Sequence, residues 1–210
     1  TMITSWNKKQ QKKSSIDGIN VIYLPVTYKN EFTFIHRIFS FAKFQFQAIK
    51  LGKTLHAPDL VYATSTPLNV ASVGQTLARF FKCPWVFEVR DLWPKAPIEL
   101  GVIKNKSLIN KLYKTEAKLL RSADAVIALS PFSVDYINNI TIKKSILVPN
   151  LCNNDQFNLP SKSTESTTKF RIGYFGAIST ANGLDSFIDL AEYAQDKGLN
   201  TYEFILVGEG

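Results

Sequence analysis

Two cysteines, one methionine and two histidines in 210 residues leave little raw material for several kinds of chemistry. Cys83 and Cys152 have neither metal-ligand spacing nor a partner motif, which argues against a disulfide framework and fits reduced thiols in a cytosolic protein. His36 and His56 stand near no serine or cysteine in a nucleophile motif, so triad hydrolysis has no support. No group of His, Cys and carboxylates has ligand spacing, and no metal is expected. The chain also lacks the ~18 uncharged apolar residues in a row that span a bilayer. No charged, apolar and cleavage regions open it, so secretion is not expected. Acidic residues are the scarcer charge, 17 against 25 Lys and Arg, for a formal net charge of +8. The imbalance is local: residues 1–53 hold nine Lys or Arg against Asp17 and Glu31. That suggests an anionic surface or ligand near the N-terminal region, or simply solvated lysines in a loop. Nucleic acid is not expected as a partner, because the basic residues lie on no known reading element.

What the chain does have is a 45% hydrophobic content, enough for a sizeable core. Short β-branched and aromatic runs recur at 2–6, 21–26, 60–65, 85–91, 125–130, 145–150, 171–176 and 202–208. From residue 60 on, most are continuously apolar, the pattern of parallel strands covered on both faces. Helical patterns at 31–51, 67–82, 106–122, 131–139 and 184–197 lie between several of them. Strand and helix in alternation predict an α/β fold built of doubly wound, Rossmann-like domains. The Asn-, Ser- and Thr-rich stretch 151–169 is a linker candidate, dividing residues 1–150 from 170–210. The second region has room for strand, helix and strand, too little to enclose a core, and is expected to be incomplete.

In an open parallel sheet, ligands bind beyond the carboxyl ends of the strands. "PWVFEVRDLWP" (84–94) puts Arg90 and Asp91 at such an end. Arg90 offers planar, permanently charged donors to an anionic substrate group, and Asp91 can accept hydroxyl hydrogen bonds from a sugar. Trp93 would supply an apolar platform. Alternatively, Glu88 pairs with Arg90 at i, i+2 and the charges are structural. "GYFGAISTANGLD" (173–185) places Gly176 after a strand and Gly183 before a helix whose N-terminus could attract phosphate. Gly208 and Glu209 repeat the arrangement, although ordinary tight turns explain such glycines equally well. Neither a G-x-G-x-x-G nor a P-loop spacing is present.

Segment 31–51 carries two apolar stripes at helical spacing. One is Ile35, Ile38, Phe39, Ala42, Phe46 and Ile49; the other, on its flank, is Phe34, Phe41, Phe44 and Ala48. With one stripe packed on the sheet, the second is left for another domain or for a membrane interface, where Arg37 and Lys43 would meet anionic headgroups.

These segments together resemble bacterial glycosyltransferases of family 4, in the branch that builds capsule, O-antigen and colanic-acid polysaccharides. "FEVRDLWP" followed by "ELGVIKN" carries the likeness to that branch, joined by "ADAVIALSPFSVDYI", "GLD" and "VGEG". The resemblance implies two Rossmann-like domains facing a cleft, the GT-B architecture, with an acceptor side at 1–150 and a nucleotide-sugar side from 170. It implies metal-independent, retaining transfer of a hexose from a UDP- or GDP-linked donor, with no cofactor, onto an undecaprenyl-diphosphate-linked saccharide. The work would be done at the cytoplasmic face of the bacterial inner membrane. Arg90 and Asp91 then become catalytic candidates. Gly176, Asn182, Gly183, Gly208 and Glu209 become donor-binding candidates, and Phe34, Phe41, Phe44, Arg37, Lys43 and Trp93 acceptor or membrane candidates. Three departures stand out. Arg90 sits where many members have His, Ala177 and Asn182 sit where cations are frequent, and Leu151, Cys152 and Asn153 replace Gly-Val-Asp. The family's Gly-rich acceptor loop and its paired glutamates fall outside residues 1–210, so the chain reads as truncated at both ends and inactive by itself. A sugar-nucleotide epimerase of the same architecture and a non-catalytic membrane-surface module remain the alternatives.

Overall fold

The computed structural model describes residues 1–29, 32–142, 144–152, 169–178 and 182–209, with the side chain of Phe34 left out. The chain forms two compact units, Thr1–Leu151 and Cys152–Gly210. Nearly all of the 151–169 linker candidate lies outside the described residues.

The first unit is α/β, as the alternation of runs predicts. Strands β4 (Val61–Thr64), β5 (Trp85–Val89), β6 (Ala125–Ala128) and β7 (Ile146–Leu147) form a wholly parallel sheet in that order. A second sheet has β1 (Met2–Trp6) parallel to β3 (Ile19–Pro25), with β2 (Lys12–Ile16) antiparallel on the other side of β3. Strand β2 carries no apolar run and was not foreseen. Its signal is the turn: Asp17 and Gly18 both have positive φ, +48° and +79°, as a two-residue type I′ hairpin requires. The β1 and β4 edges do not pair. They are joined instead through helix packing, since Ile3 of β1 and Val61 of β4 both rest on a cluster of Leu24, Val26, Ala48, Val73 and Leu77.

Three helices support this arrangement: α1 (Phe34–Gly52), α2 (Leu68–Phe81) and α4 (Lys106–Ser122). Thr33 and Asn105 cap α1 and α4 by accepting the N–H of His36 and Leu108, and Lys82 ends α2 in the left-handed conformation. Helix α2 is the buried one, with Leu68, Ala71, Val73, Gly74, Leu77 and Ala78 all covered. It lies so close to the sheet that a Cβ on Gly74 would come within 2.5 Å of the Ala63 Cβ. Buried Gln75 donates to the hydroxyl of Ser122, whose carbonyl accepts the Trp85 indole N–H at 2.9 Å. The main core under β5 and β6 is built from Phe87, Val89, Leu119, Leu120, Val126 and Ile137, side chains worth ~1.5–3 kcal/mol each when withdrawn from water.

One buried carboxyl interrupts the apolar packing. Glu116 of α4 is 3% exposed and accepts the hydroxyl of Tyr136, 3.0 Å away, from α5 (Pro131–Asn138). Burial pushes its pKa up from 4.5 to about 7, and the Tyr136 hydrogen bond pulls the other way. Short helix α3 (Lys95–Glu99) packs nearby, with the Lys95 ammonium 4.8 Å above the Phe132 ring and 5.2 Å above that of Tyr136.

The second unit has β8 (Phe170–Phe175) parallel to β9 (Tyr202–Val207), connected through α6 (Asp185–Asp196). Phe187 of α6 packs edge-on against Phe204 of β9, with ring centres 5.6 Å apart.

Candidate active site

The carboxyl ends of β4 and β5 meet in a compact hydrogen-bonded tip. Alternation along β5 buries Trp85, Phe87 and Val89 and leaves Val86 and Glu88 partly open, so the chain reaches Arg90 already directed out of the core. Directly after the tip, Pro94 is buried and Leu92 and Trp93 pack on the main core, anchoring the far side of the turn. Trp93 is half-buried, with part of its ring against that core. Between these anchors, Arg90 and Asp91 are exposed.

The loop after β4 fixes this tip, through residues that the sequence reading passed over. Ser65, only 4% exposed, donates its N–H to the Glu88 carbonyl at 2.8 Å and accepts the Arg90 N–H on its hydroxyl at 3.0 Å. Thr66 donates its hydroxyl to Asp91 Oδ2 at 2.8 Å, which leaves Asp91 Oδ1 for another donor. The peptide bonds on both sides of Thr66 are cis. A Ser-Thr pair at the end of an apolar strand, followed by Pro67, is the signal that could have pointed to this loop.

The proposed Glu88–Arg90 ion pair does not form. The Tyr62 phenol is held above its ordinary pKa by burial first and by the Glu88 carboxylate second, while Arg90 opposes both. Among the described residues, no carboxylate lies within 4.0 Å of the Arg90 guanidinium. An exposed cation beside a carboxylate with one oriented oxygen suits a ligand bearing both negative charge and hydroxyl groups.

In the second unit, the glycine loop is explained first by its own backbone. The Gly176 N–H donates to the Val207 carbonyl at 3.0 Å and the Ile178 N–H to that of Glu209 at 2.9 Å. Gly208 lies against this ladder, where a Cβ would fall 1.8 Å from the Gly176 carbonyl oxygen. Asn182 ties the loop by donating its side-chain amide to the Ala177 carbonyl at 2.6 Å, and Gly183 has φ of +63°. The phosphate-seeking helix start of the sequence reading is partly engaged already, since the N–H groups of Ser186 and Phe187 donate to the carbonyls of Gly183 and Leu184. Glu209 is exposed. Gly208→Ala is expected to lower the thermal stability of the second unit by about 1–3 kcal/mol, the usual cost of forcing an extra carbon into a packed site. Hydrogen exchange of the β8 and β9 amides is the measurement, and unchanged protection would count against that packing.

The sequence model of the glycosyl transferase 4-like domain matches residues 2–150, nearly the whole first unit. The chain belongs to the glycosyl transferase 4-like family. No curated protein matches it. Membership places its chemistry in glycosyl transfer and its ligands among sugar donors and acceptors. In this glycosyl transferase 4-like domain the Arg90–Asp91 tip is an exposed, charged feature at the carboxyl end of the parallel sheet. Among the described residues, no three His, Cys, Asp or Glu side chains gather as metal ligands would.

The α1 stripes face the reverse of the expected way. Phe44 and Ala48 pack into the cluster that joins the two sheets, and Phe41 stacks on Tyr28 with ring centres 5.5 Å apart. Ile35, Ile38, Phe39, Ala42 and Phe46 of the other stripe are the exposed ones. Arg37 is drawn back over the β3–α1 connection, donating Nε–H to the Phe32 carbonyl at 3.0 Å with its guanidinium 5.9 Å above the Tyr28 ring. Lys43 is exposed. No helix among the described residues is long and apolar enough to cross a membrane.

Proposed function

We propose that the chain is part of a retaining, metal-independent hexosyltransferase in bacterial capsule or O-antigen biosynthesis. It moves a sugar from a UDP- or GDP-linked donor to an undecaprenyl-diphosphate-linked saccharide at the cytoplasmic face of the inner membrane. The observation that carries this reading is the exposed Arg90, with no carboxylate within 4.0 Å of it among the described residues, beside Asp91, whose carboxylate is aimed by Thr66. Arg90 attracts a phosphate-bearing substrate, and Asp91 Oδ1 accepts a sugar hydroxyl and orients it. Residues 1–150 serve the acceptor. The loop of Gly176, Asn182, Gly183, Gly208 and Glu209 serves the nucleotide sugar by letting its diphosphate approach the backbone. The test is turnover of a panel of nucleotide sugars with lipid-linked acceptors by the full-length protein. Release of free nucleotide without any lipid acceptor would favour the epimerase instead.

A second reading, a membrane-surface binding module without catalysis, is favoured by the bare apolar stripe on α1. Vesicle sedimentation by a full-length protein that binds no nucleotide sugar would select it.

A further inference from the structure

Parallel strands β5 and β6 end level, with Val89 paired to Ala128, so the segments that follow them leave the sheet side by side at the end that carries Arg90 and Asp91. From β5 the chain runs through the tip into α3, where the Ala96 N–H donates to the Leu92 carbonyl at 2.9 Å. From β6 it enters α5, capped where the Ser130 hydroxyl accepts the Ser133 N–H at 3.2 Å. The two segments meet at Lys95 and Phe132. We propose that the exposed ring of Phe132 is the platform on which the terminal sugar of the acceptor lies, and that Lys95 is the positioning residue that holds this platform in place.

Phe132 is 65% exposed on a helix that buries Ile137 and rests Val134 and Tyr136 on the main core. The ring is nonetheless fixed. The Lys95 ammonium lies 4.8 Å above it and 5.2 Å above the ring of Tyr136, one helical turn further on, and the Glu99 carboxylate is 3.8 Å from the same ammonium. With its side chain only 25% exposed, Lys95 is committed to these partners, and through them it ties α3 to α5. The rest of the Phe132 ring is left to solvent.

A pyranose carries hydroxyls around its rim and a patch of C–H bonds on its face. A site for it needs an aromatic surface flanked by a few polar groups that set its orientation. Phe132 supplies the surface. The tip that runs directly into α3 supplies the polar groups, as the Arg90 guanidinium and Asp91 Oδ1. A lone exposed phenylalanine elsewhere on the molecule would call for no explanation. This one stands just beyond the carboxyl ends of the strands, where open α/β sheets bind their ligands. The inference rests on the glycosyltransferase reading for the sugar's role as acceptor, and it names the surface that receives it.

The experiment compares the full-length protein with its Phe132→Ala, Phe132→Tyr, Lys95→Met and Lys95→Arg variants in two readouts. The first is steady-state transfer to the lipid-linked acceptor that the substrate panel identifies. Phe132→Ala should raise the acceptor KM about tenfold and leave kcat and the donor KM unchanged, because a face stacked alike in the ground and transition states shows in KM alone. Phe132→Tyr keeps the ring and should behave as wild type. Lys95→Met should raise the acceptor KM about threefold, and Lys95→Arg, which keeps a cation over the ring, should not. The second readout needs no turnover: saturation-transfer NMR with methyl β-glucoside, methyl β-galactoside and methyl N-acetyl-β-glucosaminide. At least one of them should receive magnetisation from the aromatic protons of wild type and lose it in Phe132→Ala. An unchanged acceptor KM in Phe132→Ala would overturn the proposal, as would a rise in the donor KM instead, equal loss in Phe132→Tyr, or saturation transfer that does not depend on Phe132. Glycoside binding through Phe132 with no nucleotide sugar turned over would sink the transferase reading alone, whereas transfer at an unchanged acceptor KM would sink this inference alone.

Discussion

Arg90→Ala and Asp91→Asn, each in the full-length protein, are expected to lower sugar transfer by about a hundredfold or more, with little change in thermal stability. The rate loss follows from removing one preorganised charge or oriented acceptor at the reacting group, which typically costs ~10²–10³ in turnover. The unchanged stability follows from exposure: both side chains face solvent, and the turn is held by backbone and by Leu92, Trp93 and Pro94. Thr66→Val separates two roles for the Thr66 hydroxyl. If it only aims Asp91, the variant should lose less than Asp91→Asn and the loss should fall in kcat more than in KM. Wild-type turnover in both tip variants would return Arg90 and Asp91 to a structural role and remove the mechanism proposed here.

Glu116→Gln is expected to make the first unit more stable at pH 8 and to flatten its stability between pH 4.5 and pH 7. Burial raises the Glu116 pKa to about 7 from an ordinary 4.5, so the folded chain holds this proton more tightly than the unfolded one. Stability from the neutral carboxyl is fully present below pH 4.5 and is lost as pH rises towards 7, by roughly 3 kcal/mol at 1.36 kcal/mol per unit. Glutamine keeps an acceptor for the Tyr136 hydroxyl but carries no proton to lose. Urea unfolding of wild type and variant at matched pH values measures the difference. Parallel pH profiles would mean that Glu116 is solvated well enough to ionise at its ordinary pKa.

Much of the first unit was legible because continuous apolar runs have one economical use, as strands covered on both faces. The runs at 60–65, 85–91 and 125–130 became β4, β5 and β6, in one parallel sheet. Strand β2 escaped because KKSSI lies at a sheet edge and buries almost nothing, so its pairing is written in the Asp17–Gly18 turn alone. Helix α3 escaped because five residues containing Pro97 show no periodicity. The α1 helix was visible but its orientation was not: both stripes are apolar, and only contact with Leu24 and Val26 chooses Phe44 and Ala48 as the inner one. At the candidate site, Arg90 and Asp91 could be picked out as charges ending a buried run. Ser65 and Thr66 were marked only by their place at the end of an apolar strand before Pro67, and their role lies in a partner 25 positions away.

The contact between Gly74 and Ala63 reaches further than local packing. Thr66 lies at the head of the helix that this contact draws down onto β4, while Asp91 hangs from the neighbouring strand. A methyl group added at position 74 would wedge the helix away from the sheet and move the threonine relative to its carboxylate. The fine alignment of the tip is thus inherited from the thickness of a layer about two helical turns below it, and rate could drift through substitutions that never come near a sugar.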